Sequence, residues 1–451
     1  MQDASSYYYE LLYDFSQGLN LCGTTKDLYN GTVSETMARL NSELGFNTAG
    51  DTLNGHENNF LKAAKWSPDG SCLLASSNDN VLRLFEVTPN IYETDEEIEL
   101  KPSSVHVRGA ETIYDICWYP LMSGEDPTTC CFLSAMRGHP VQLWDAWTGE
   151  PRCAYKIIDH REQVIGPNAV TFNLDGSKIY CGYKNMVEVF DITRPGNESE
   201  KRATTPTRKS KAGQKGIISC LAFNPDRSGL YAAGSYSQSI GIYHEDNREL
   251  LHLIRGNVGG VTQVQFSPDG CYLYSVSRRE DFIFCWDIRN TGEILHKMER
   301  PGQTNQRLSF DIDRSGRWLI TGDQNGRILC YDLMNPNDEN CSRCVLDFVG
   351  HNDCVSSVTF HPTHPLIATC SGQRKFPNYD DSANEDDTTI LHTIDNTVKF
   401  WKVTGQYQWF KYEETIAEAT EGMEIEERQE VSTVMKEEIV IEEIEEMNKS
   451  A

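Results

Sequence analysis

A repeated unit of short strands constrains the fold of this chain more than any other feature. Its clearest copy is residues 259–287, GGVTQVQFSPDGCYLYSVSRREDFIFCWD. The segments VTQVQF, CYLYSVS and FIFCWD are rich in β-branched and aromatic residues, and the turns SPDG and RRED separate them. This pattern predicts three consecutive antiparallel strands. So small a sheet cannot bury both of its faces alone, and it therefore needs further copies beside it.

The unit recurs seven times from Asn59 onward. The first strand of each copy closes with an aromatic residue, and these residues follow one another at intervals of 43 to 54 residues: Trp66, Trp118, Phe172, Phe223, Phe266, Phe310 and Phe360. The third strand also ends in an aromatic residue: Phe85, Trp144, Phe190, Tyr243, Trp286, Tyr331 and Trp401. A period of about 40 to 45 residues with a terminal Trp-Asp is typical of WD40 repeats, and loop insertions lengthen it here. The sequence therefore predicts an all-β protein, a seven-bladed WD40 β-propeller over residues 56–412.

WD40 units are braced internally by a Gly-His before the first strand, an Asp in the turn between strands two and three, and the terminal Trp. Unit 7 has the complete set with His351, Asp395 and Trp401, and unit 1 keeps His56 and Asp79. The middle units carry other residues six positions before the terminal aromatic: Gly138, Lys184, Ser237, Glu280 and Asn325. We expect the middle units to have lost the brace, and units 1 and 7 to form the latch between the chain ends.

The segments outside the repeats are polar or charged. Residues 1–55 are polar and irregular, which predicts a disordered N-terminal arm, and the Glu-rich residues 413–451 predict a disordered or transiently helical tail. The run Gln406 to Tyr412 is a candidate closing outer strand. Two inserts, the basic residues 201–215 and the acidic residues 378–389, predict mobile loops.

Composition narrows the classes of partner. The formal net charge of −26 argues against a generic polyanion binder, so any nucleic-acid site has to be a local basic patch. The chain opens without a basic signal-peptide region and contains no apolar run long enough to cross a bilayer, which predicts an intracellular protein without a membrane partner. Most of the 15 cysteines lie in apolar strand patterns, where reduced Cys packs as a small hydrophobe.

The motifs of common enzymes are absent from the sequence. It contains no P-loop, no G-x-S-x-G and no H-E-x-x-H, and Cys341 and Cys344 form a lone C-x-x-C. We therefore predict a binding protein with no catalytic residue, no metal site and no cofactor, and without readout of DNA sequence.

The repeat register places basic and aromatic residues at one end of the ring. In a propeller the loops between strands two and three share one face, the top face, with the segments that lead into each first strand. This rule gives the candidate residues Arg137, Lys184, Tyr236, Arg278, Arg279, Arg307, Arg374 and Lys375, and the basic insert adds Lys209 and Lys211. Arginine pairs with phosphate and tyrosine stacks on unpaired bases, so the pattern is compatible with RNA, but on this pattern alone a peptide-binding scaffold is the favoured interpretation.

Several segments go beyond generic WD40 patterning: NFLKAAKWSPDGSCLLASSNDNVLRLFEV, TIYDICWYPLMS, WDAWTGE, GIISCLAFNP, TNQRLSFDID and HPLIATCSGQRKFP. Together they resemble the telomerase Cajal body protein 1 family, over roughly residues 59–403. The resemblance is specific because these strings lie partly in loops, where the fold alone does not dictate sequence.

The resemblance implies a ribonucleoprotein function in the nucleus. That family binds the CAB box of small Cajal body RNAs, which are box H/ACA RNAs, and targets them to Cajal bodies. It implies small Cajal body RNAs and box H/ACA proteins as partners, and a role in localising telomerase RNA and in telomere maintenance where that RNA carries the box.

Overall fold

The computed structural model describes residues 7–25, 52–53, 56–88, 90–93, 97–103, 105–207, 210, 212–336, 341–375 and 395–411. Phe15–Val403 form one compact unit, and its described residues are nearly all in β-strands and turns. The strands form seven sheets, the blades of a β-propeller, as the repeats predict. Asn90–Glu93 form a short helix, and no helix among the described residues is long and apolar enough to span a membrane.

Each blade is numbered in chain order, with its strands counted from the first. Blade 1 contains Leu61–Trp66, Cys72–Ser77, Val81–Glu86 and His106–Arg108. Blade 2 contains Ile113–Trp118, Cys131–Met136, Val141–Asp145 and Pro151–Tyr155. Blade 3 contains Ala169–Phe172, Lys178–Tyr183, Met186–Asp191 and Glu200–Ala203. Blade 4 contains Ile218–Phe223, Leu230–Ser235, Ser239–His244 and Leu250–Arg255. Blade 5 contains Val261–Phe266, Tyr272–Ser277, Phe282–Asp287 and His296–Glu299. Blade 6 contains Phe310–Ile312, Trp318–Gly322, Arg327–Pro336 and Ser342–Val349. Blade 7 contains Val355–Phe360, Leu366–Ser371, Val398–Lys411, Tyr7–Thr24 and Ile98–Glu99. Two short hairpins, Thr52–Leu53 with His56–Glu57 and Ile157–Ile158 with Val164–Ile165, lie outside the blades.

The turns between first and second strands follow directly from their sequence. In blade 1 the Ser67 hydroxyl donates to Asp69 Oδ1 at 2.6 Å, and the same oxygen accepts the Ser71 amide at 3.0 Å. Gly70 has φ +76°, in the left-handed region that glycine adopts without strain. The SPDG string therefore fixes a tight turn and the antiparallel register of the strands beside it.

The apolar core lies in layers between neighbouring blades. Leu61 and Trp66 of blade 1 pack with Leu366 and Phe400 of blade 7, and the other face of blade 1 packs on blade 2. Equivalent clusters join blades 2 and 3, 3 and 4, 4 and 5, and 5 and 6. Because each blade supplies one wall of two layers, the blades bury their apolar surface only as a ring.

The N-terminal arm is not wholly disordered, and that prediction is wrong for its first part. Tyr7–Thr24 form a strand that lies beside the third strand of blade 7. The Thr25 amide donates to the Val398 carbonyl at 3.0 Å, and the Val398 amide donates to Thr25 Oγ1 at 3.0 Å. Phe15 is buried against the ring of Trp318, with ring centroids 5.1 Å apart. The ring is therefore closed by a strand from the start of the chain.

The predicted closing strand from Gln406 to Tyr412 has a different place. Through Lys411 this run continues the third strand of blade 7, Val398–Lys411, and Tyr412 lies outside the described residues. The latch between the chain ends consequently combines an N-terminal fourth strand with contacts between blades 7 and 1. Among these contacts, the Ser357 hydroxyl donates to the Ala64 carbonyl at 3.1 Å.

The structure corrects two further details. In blade 6 the first strand ends at Ile312, which pairs with Leu319. This pair corresponds to Phe266 and Leu273 in blade 5. Phe310, predicted to end the strand, therefore lies two residues before its end. The basic insert is not wholly a loop, because its first residues belong to the strand Glu200–Ala203 and Gln214 is buried. Residues 208, 209 and 211 of this insert and the acidic insert 378–389 lie outside the described residues.

The brace of blade 7 is confirmed, with two threonines that the sequence argument missed. Trp401 Nε1 donates to Thr369 Oγ1 at 2.9 Å, and this hydroxyl lies 2.7 Å from His351 Nε2. The other nitrogen of the imidazole, His351 Nδ1, lies 3.2 Å from Thr397 Oγ1. This hydroxyl donates to Asp395 Oδ1 at 2.6 Å. Burial lowers the pKa of His351, so the imidazole is neutral in this network.

Blades 4 and 5 lack the His and Asp of the brace, as expected, but other side chains take their place. In blade 5, Trp286 donates to Ser275 Oγ at 2.9 Å, and Glu280 accepts the Val258 amide at 3.0 Å, as Asp395 accepts the Asn352 amide in blade 7. In blade 4 the Tyr243 hydroxyl donates to the buried Gln214 Oε1 at 2.9 Å. In blade 1, Asp79 pairs with Arg83, while the His56 side chain lies outside the description.

Candidate functional site

The first strands and their lead-in segments surround a central channel with a volume of about 570 Å³. Charged side chains line it, and two of them form an ion pair across blades. Lys65 of blade 1 lies 3.3 Å from Asp115 of blade 2. Burial disfavours the charged amine, but Asp115 outweighs it and raises the pKa of Lys65. This ion pair thus keeps Lys65 charged within the channel.

The loops between second and third strands lie at the same end of the ring as the lead-in segments, as the repeat register predicts. Backbone bonds join the two kinds of loop within a blade: the Arg137 amide donates to the Thr112 carbonyl at 3.0 Å, and the Arg278 amide donates to the Gly260 carbonyl at 2.9 Å. This end of the ring is the top face.

Arg307, a predicted ligand-binding residue, is engaged by the ring itself. Its Nη1 donates to the Tyr114 carbonyl of blade 2 at 3.1 Å, and its Nη2 donates to the Ser219 carbonyl of blade 4 at 2.9 Å. Nη2 also donates to the Tyr236 hydroxyl at 3.0 Å. Arg307 therefore ties blade 6 to blades 2 and 4, and its direct contact with a ligand stays a prediction.

Tyr236 and Arg278 form a stacked pair beside Arg307. The Arg278 guanidinium carbon lies 4.2 Å from the centroid of the Tyr236 ring, and its Nη2 donates to the Tyr236 hydroxyl at 3.0 Å. Among the described residues, Arg278 Nε has no hydrogen-bond partner. Tyr236, Arg278 and Arg307, which we call the top-face cluster, thus bring two guanidinium groups to one hydroxyl.

Two glycines let the loops of this cluster approach each other. A Cβ on Gly259 would lie 1.7 Å from the Arg278 carbonyl oxygen, and one on Gly260 would lie 3.0 Å from backbone atoms of Tyr236. The lead-in of blade 5 therefore packs directly on the loops that carry both side chains. The Gly259-Gly260 pair was not singled out from sequence, although paired glycines signal such a close backbone approach.

Three other predicted residues are exposed. Arg137 and Lys184 lie in the loops of blades 2 and 3, and Arg279 follows Arg278 with φ 53°. The Arg279 amide donates to the Thr304 carbonyl at 3.1 Å, which holds its backbone in the left-handed region. The top face therefore presents exposed cations on blades 2, 3 and 5 around the top-face cluster.

Blade 7 places its two basic residues differently. Lys375 is half-buried and its Nζ lies 2.8 Å from Asp353 Oδ2, so its charge is engaged within the blade and its contact with a ligand stays a prediction. Asp353 also accepts the Gln373 amide group at 2.7 Å and its neighbour's backbone amide, that of Cys354, at 2.8 Å. Arg374 is exposed. The predicted residues Lys209 and Lys211 lie outside the described residues.

Lys62 belongs to the channel and was not singled out from sequence. It lies near the start of the first strand of blade 1, half-buried. Burial lowers its pKa to about 8, Asp79 opposes this shift and Arg374 adds to it. The alternation of residues in LKAAKW does not predict that Lys62 lines the channel, because the pairing of this strand with the second strand shifts register between Leu61 and Ala63.

The geometry favours anion binding. The described residues contain no group of three His, Cys, Asp or Glu side chains that could hold a metal ion. Asp311, the other carboxylate that lines the channel, is half-buried and accepts hydrogen bonds from the Thr359 hydroxyl and the Phe360 amide. Desolvation raises the pKa of this carboxyl. What the top face offers a ligand is therefore guanidinium groups, a lysine and a tyrosine hydroxyl.

The chain matches a known repeat and a group of known proteins. The model "WD domain, G-beta repeat" matches residues 48–86, 248–287 and 342–402, so the chain is a WD40-repeat protein. Proteins named telomerase Cajal body protein 1 from Mesocricetus auratus and Homo sapiens are each 41% identical to it, over 73% and 72% of this chain. The chain belongs to the telomerase Cajal body protein 1 family.

The chain spans about 60% of the length of these animal relatives, 61% for the hamster protein and 59% for the human one. A relative from Schizosaccharomyces pombe, named guanine nucleotide-binding protein negative regulator 1, is 32% identical over 73% of this chain and 83% of its own length. A relative of this chain thus has a name that refers to a different kind of partner.

Proposed function

We propose that this protein is an RNA-binding targeting factor, which recognises the CAB box of small Cajal body RNAs on its top face. It acts as a binding protein rather than an enzyme, in the nucleus and at the Cajal body. Small Cajal body RNAs and box H/ACA ribonucleoprotein proteins are its partners, and telomerase RNA is a further client where that RNA carries the box. The names of the animal relatives support the Cajal body and telomerase parts of this proposal.

One structural observation carries the RNA part: cations gather on the top face of a strongly acidic chain. The top-face cluster has Arg278 stacked on Tyr236 at 4.2 Å, and exposed Arg279, Arg137 and Lys184 lie in the same ring of loops. Guanidinium groups pair with phosphate oxygens, and single-stranded RNA loops are read by contacts to splayed bases. A local patch of this kind is what a chain with a formal net charge of −26 needs in order to hold RNA.

The charge distribution predicts how binding responds to salt. Each phosphate neutralised by a cation releases counterions, so affinity falls as salt rises, with a slope set by the number of phosphate contacts. Contacts to phosphate weaken all RNAs alike when they are lost, whereas contacts to bases alter the preference for the box.

The experiment that tests this proposal compares two hairpins. Purified protein is titrated with a CAB-box hairpin and with a hairpin of the same length whose box is mutated, at two salt concentrations. We expect at least tenfold tighter binding of the CAB-box hairpin, since each specific base contact contributes about 1 to 3 kcal/mol. Equal affinity for the two hairpins would overturn box recognition.

The second candidate function is a protein scaffold whose top face grips an acidic peptide. The name of the fission yeast relative favours it, because it refers to a guanine nucleotide-binding protein. If neither hairpin binds but an acidic partner is captured in a way that depends on Arg278 and Arg279, the scaffold function replaces the RNA one.

A further inference from the structure

We infer that the Tyr236 hydroxyl is the donor of an oxyanion site, which holds one phosphodiester group of the bound RNA. This inference rests on the proposed RNA function and deepens it, because it assigns one ligand atom to one protein atom. It comes from the hydrogen-bond geometry of the top-face cluster.

The hydroxyl of a tyrosine has two acceptor positions and one donor hydrogen. At Tyr236 both acceptor positions are filled by cations, since Arg278 Nη2 and Arg307 Nη2 each donate to this oxygen at 3.0 Å. Neither guanidinium can accept the tyrosine hydrogen, because arginine has no acceptor. Among the described residues no group accepts it, and the O–H is therefore left to donate to a ligand.

The ligand atom that fits this donor carries negative charge. An oxygen that accepts from Tyr236 lies beside two guanidinium groups, so an anionic oxygen gains more there than a neutral carbonyl does. Arg278 adds positive charge beside this position, while its Nε is buried and has no hydrogen-bond partner among the described residues. One free oxygen of a phosphodiester can accept from the tyrosine hydroxyl, and the two guanidinium groups stabilise its charge.

The surroundings hold the site rigid. Arg307 is fixed by the Tyr114 and Ser219 carbonyls at 3.1 and 2.9 Å, and it anchors the hydroxyl from the channel side. The Arg278 loop is fixed by the lead-in of blade 5, where Gly260 accepts the Arg278 amide. Because the donors are held before the ligand arrives, little ordering is needed on binding.

The test couples a protein change to an RNA change. Each phosphodiester of the CAB-box loop is replaced in turn by a neutral methylphosphonate, and affinity is measured with the wild-type protein and with Tyr236→Phe. We expect one linkage at which neutralisation weakens wild-type binding about tenfold and leaves Tyr236→Phe binding unchanged, since a charge-assisted bond is lost in one case only. The other linkages should show the same loss in both proteins.

Tyr114→Phe is the matched control, because Tyr114 meets Arg307 through its backbone carbonyl and not through its hydroxyl. This variant should keep the wild-type pattern at every linkage. If the wild type prefers the box but no linkage couples to Tyr236, this inference is overturned and the proposed function stands. If a linkage couples but both hairpins bind equally, box recognition is overturned and the oxyanion site stands. If no RNA binds, both are overturned.

Discussion

Blades 5 and 7 contain the same sequence feature, a pair of basic residues, but place the side chains differently. Each has two adjacent basic residues in the loop between its second and third strands, Arg278-Arg279 in blade 5 and Arg374-Lys375 in blade 7. In blade 7 the lysine turns inward onto buried Asp353 at 2.8 Å. In blade 5 the lead-in offers Gly259 and Gly260 at that place, so Arg278 lies on Tyr236 instead.

The difference indicates that, in these two blades, the charge of a basic pair stays available to a ligand only where the facing loop supplies no carboxylate. Buried Asp353 pairs with Lys375, and this ion pair holds the loop of blade 7. The glycine pair of blade 5 supplies no side chain, and both arginines remain at the top face. Whether a basic side chain of this loop is available to a ligand therefore depends on a residue about 20 positions earlier in the chain, Gly259 in blade 5 and Asp353 in blade 7.

The largest expected effect concerns how blade 7 is completed. Unlike blade 5, blade 7 takes its fourth strand from the start of the chain, and Phe15 is buried there against Trp318. Phe15→Ala should lower the free energy of unfolding by about 3 to 5 kcal/mol, the cost of deleting a buried phenyl ring. Urea denaturation measures it. A change within about 0.5 kcal/mol would restore the view of a disordered arm.

The next effect separates the two basic pairs. Lys375→Ala leaves the Asp353 carboxylate buried without its cation and should cost about 3 kcal/mol of stability. Arg278→Ala, the matched change in blade 5, removes no ion pair among the described residues and should cost less than about 1 kcal/mol. Equal losses in thermal or urea unfolding would contradict the distinction between the two loops.

A smaller effect tests the two braces. Asp395→Ala in blade 7 and Glu280→Ala in blade 5 each leave a backbone amide without its acceptor, and each should cost about 1 to 3 kcal/mol. Ser237→Ala, at the equivalent position of blade 4, is exposed and should change stability by less than about 0.5 kcal/mol. Should Glu280→Ala cost no more than Ser237→Ala, blade 5 has no working brace.

The smallest expected effect concerns backbone strain in blade 5. Arg279 has φ 53°, a region that costs an L-residue about 1 kcal/mol and costs glycine almost nothing. Arg279→Gly should leave stability unchanged or raise it by up to about 1 kcal/mol, while RNA affinity falls because one exposed cation is lost. A clear loss of stability in urea would show that the Arg279 side chain supports the fold.

Much of the fold could be predicted, because repeated turns and aromatic strand ends specify blades locally. The seven units, the SPDG turns and the His351 brace all follow from short-range patterns. The closing strand Tyr7–Thr24 could not be predicted this way, since it pairs with residues near 400, at the other end of the chain. Polar residues such as Ser16 and Gln17 hide the strand pattern within it.

The candidate site was predictable only in outline. The register placed Tyr236, Arg278 and Arg307 at one end of the ring, yet it could not distinguish an arginine facing ligand from one that ties blades together. Arg307 donates to carbonyls of blades 2 and 4, and backbone carbonyls leave no trace in the sequence. Glu280 and Gln214 likewise replace the usual brace residues through chemistry that the WD40 pattern does not contain.

The most direct test of an RNA site on the top face is the affinity of the CAB-box hairpin for the variant Arg278→Glu with Arg279→Glu. Its control is Lys297→Glu with Arg343→Glu, the same charge change at exposed positions on the fourth strands of blades 5 and 6. We expect the top-face variant to lose at least 100-fold in affinity, with unchanged unfolding in urea, and the control to lose less than about fivefold. Equal losses for both variants would show that RNA responds only to overall charge, and would contradict a binding site on the top face.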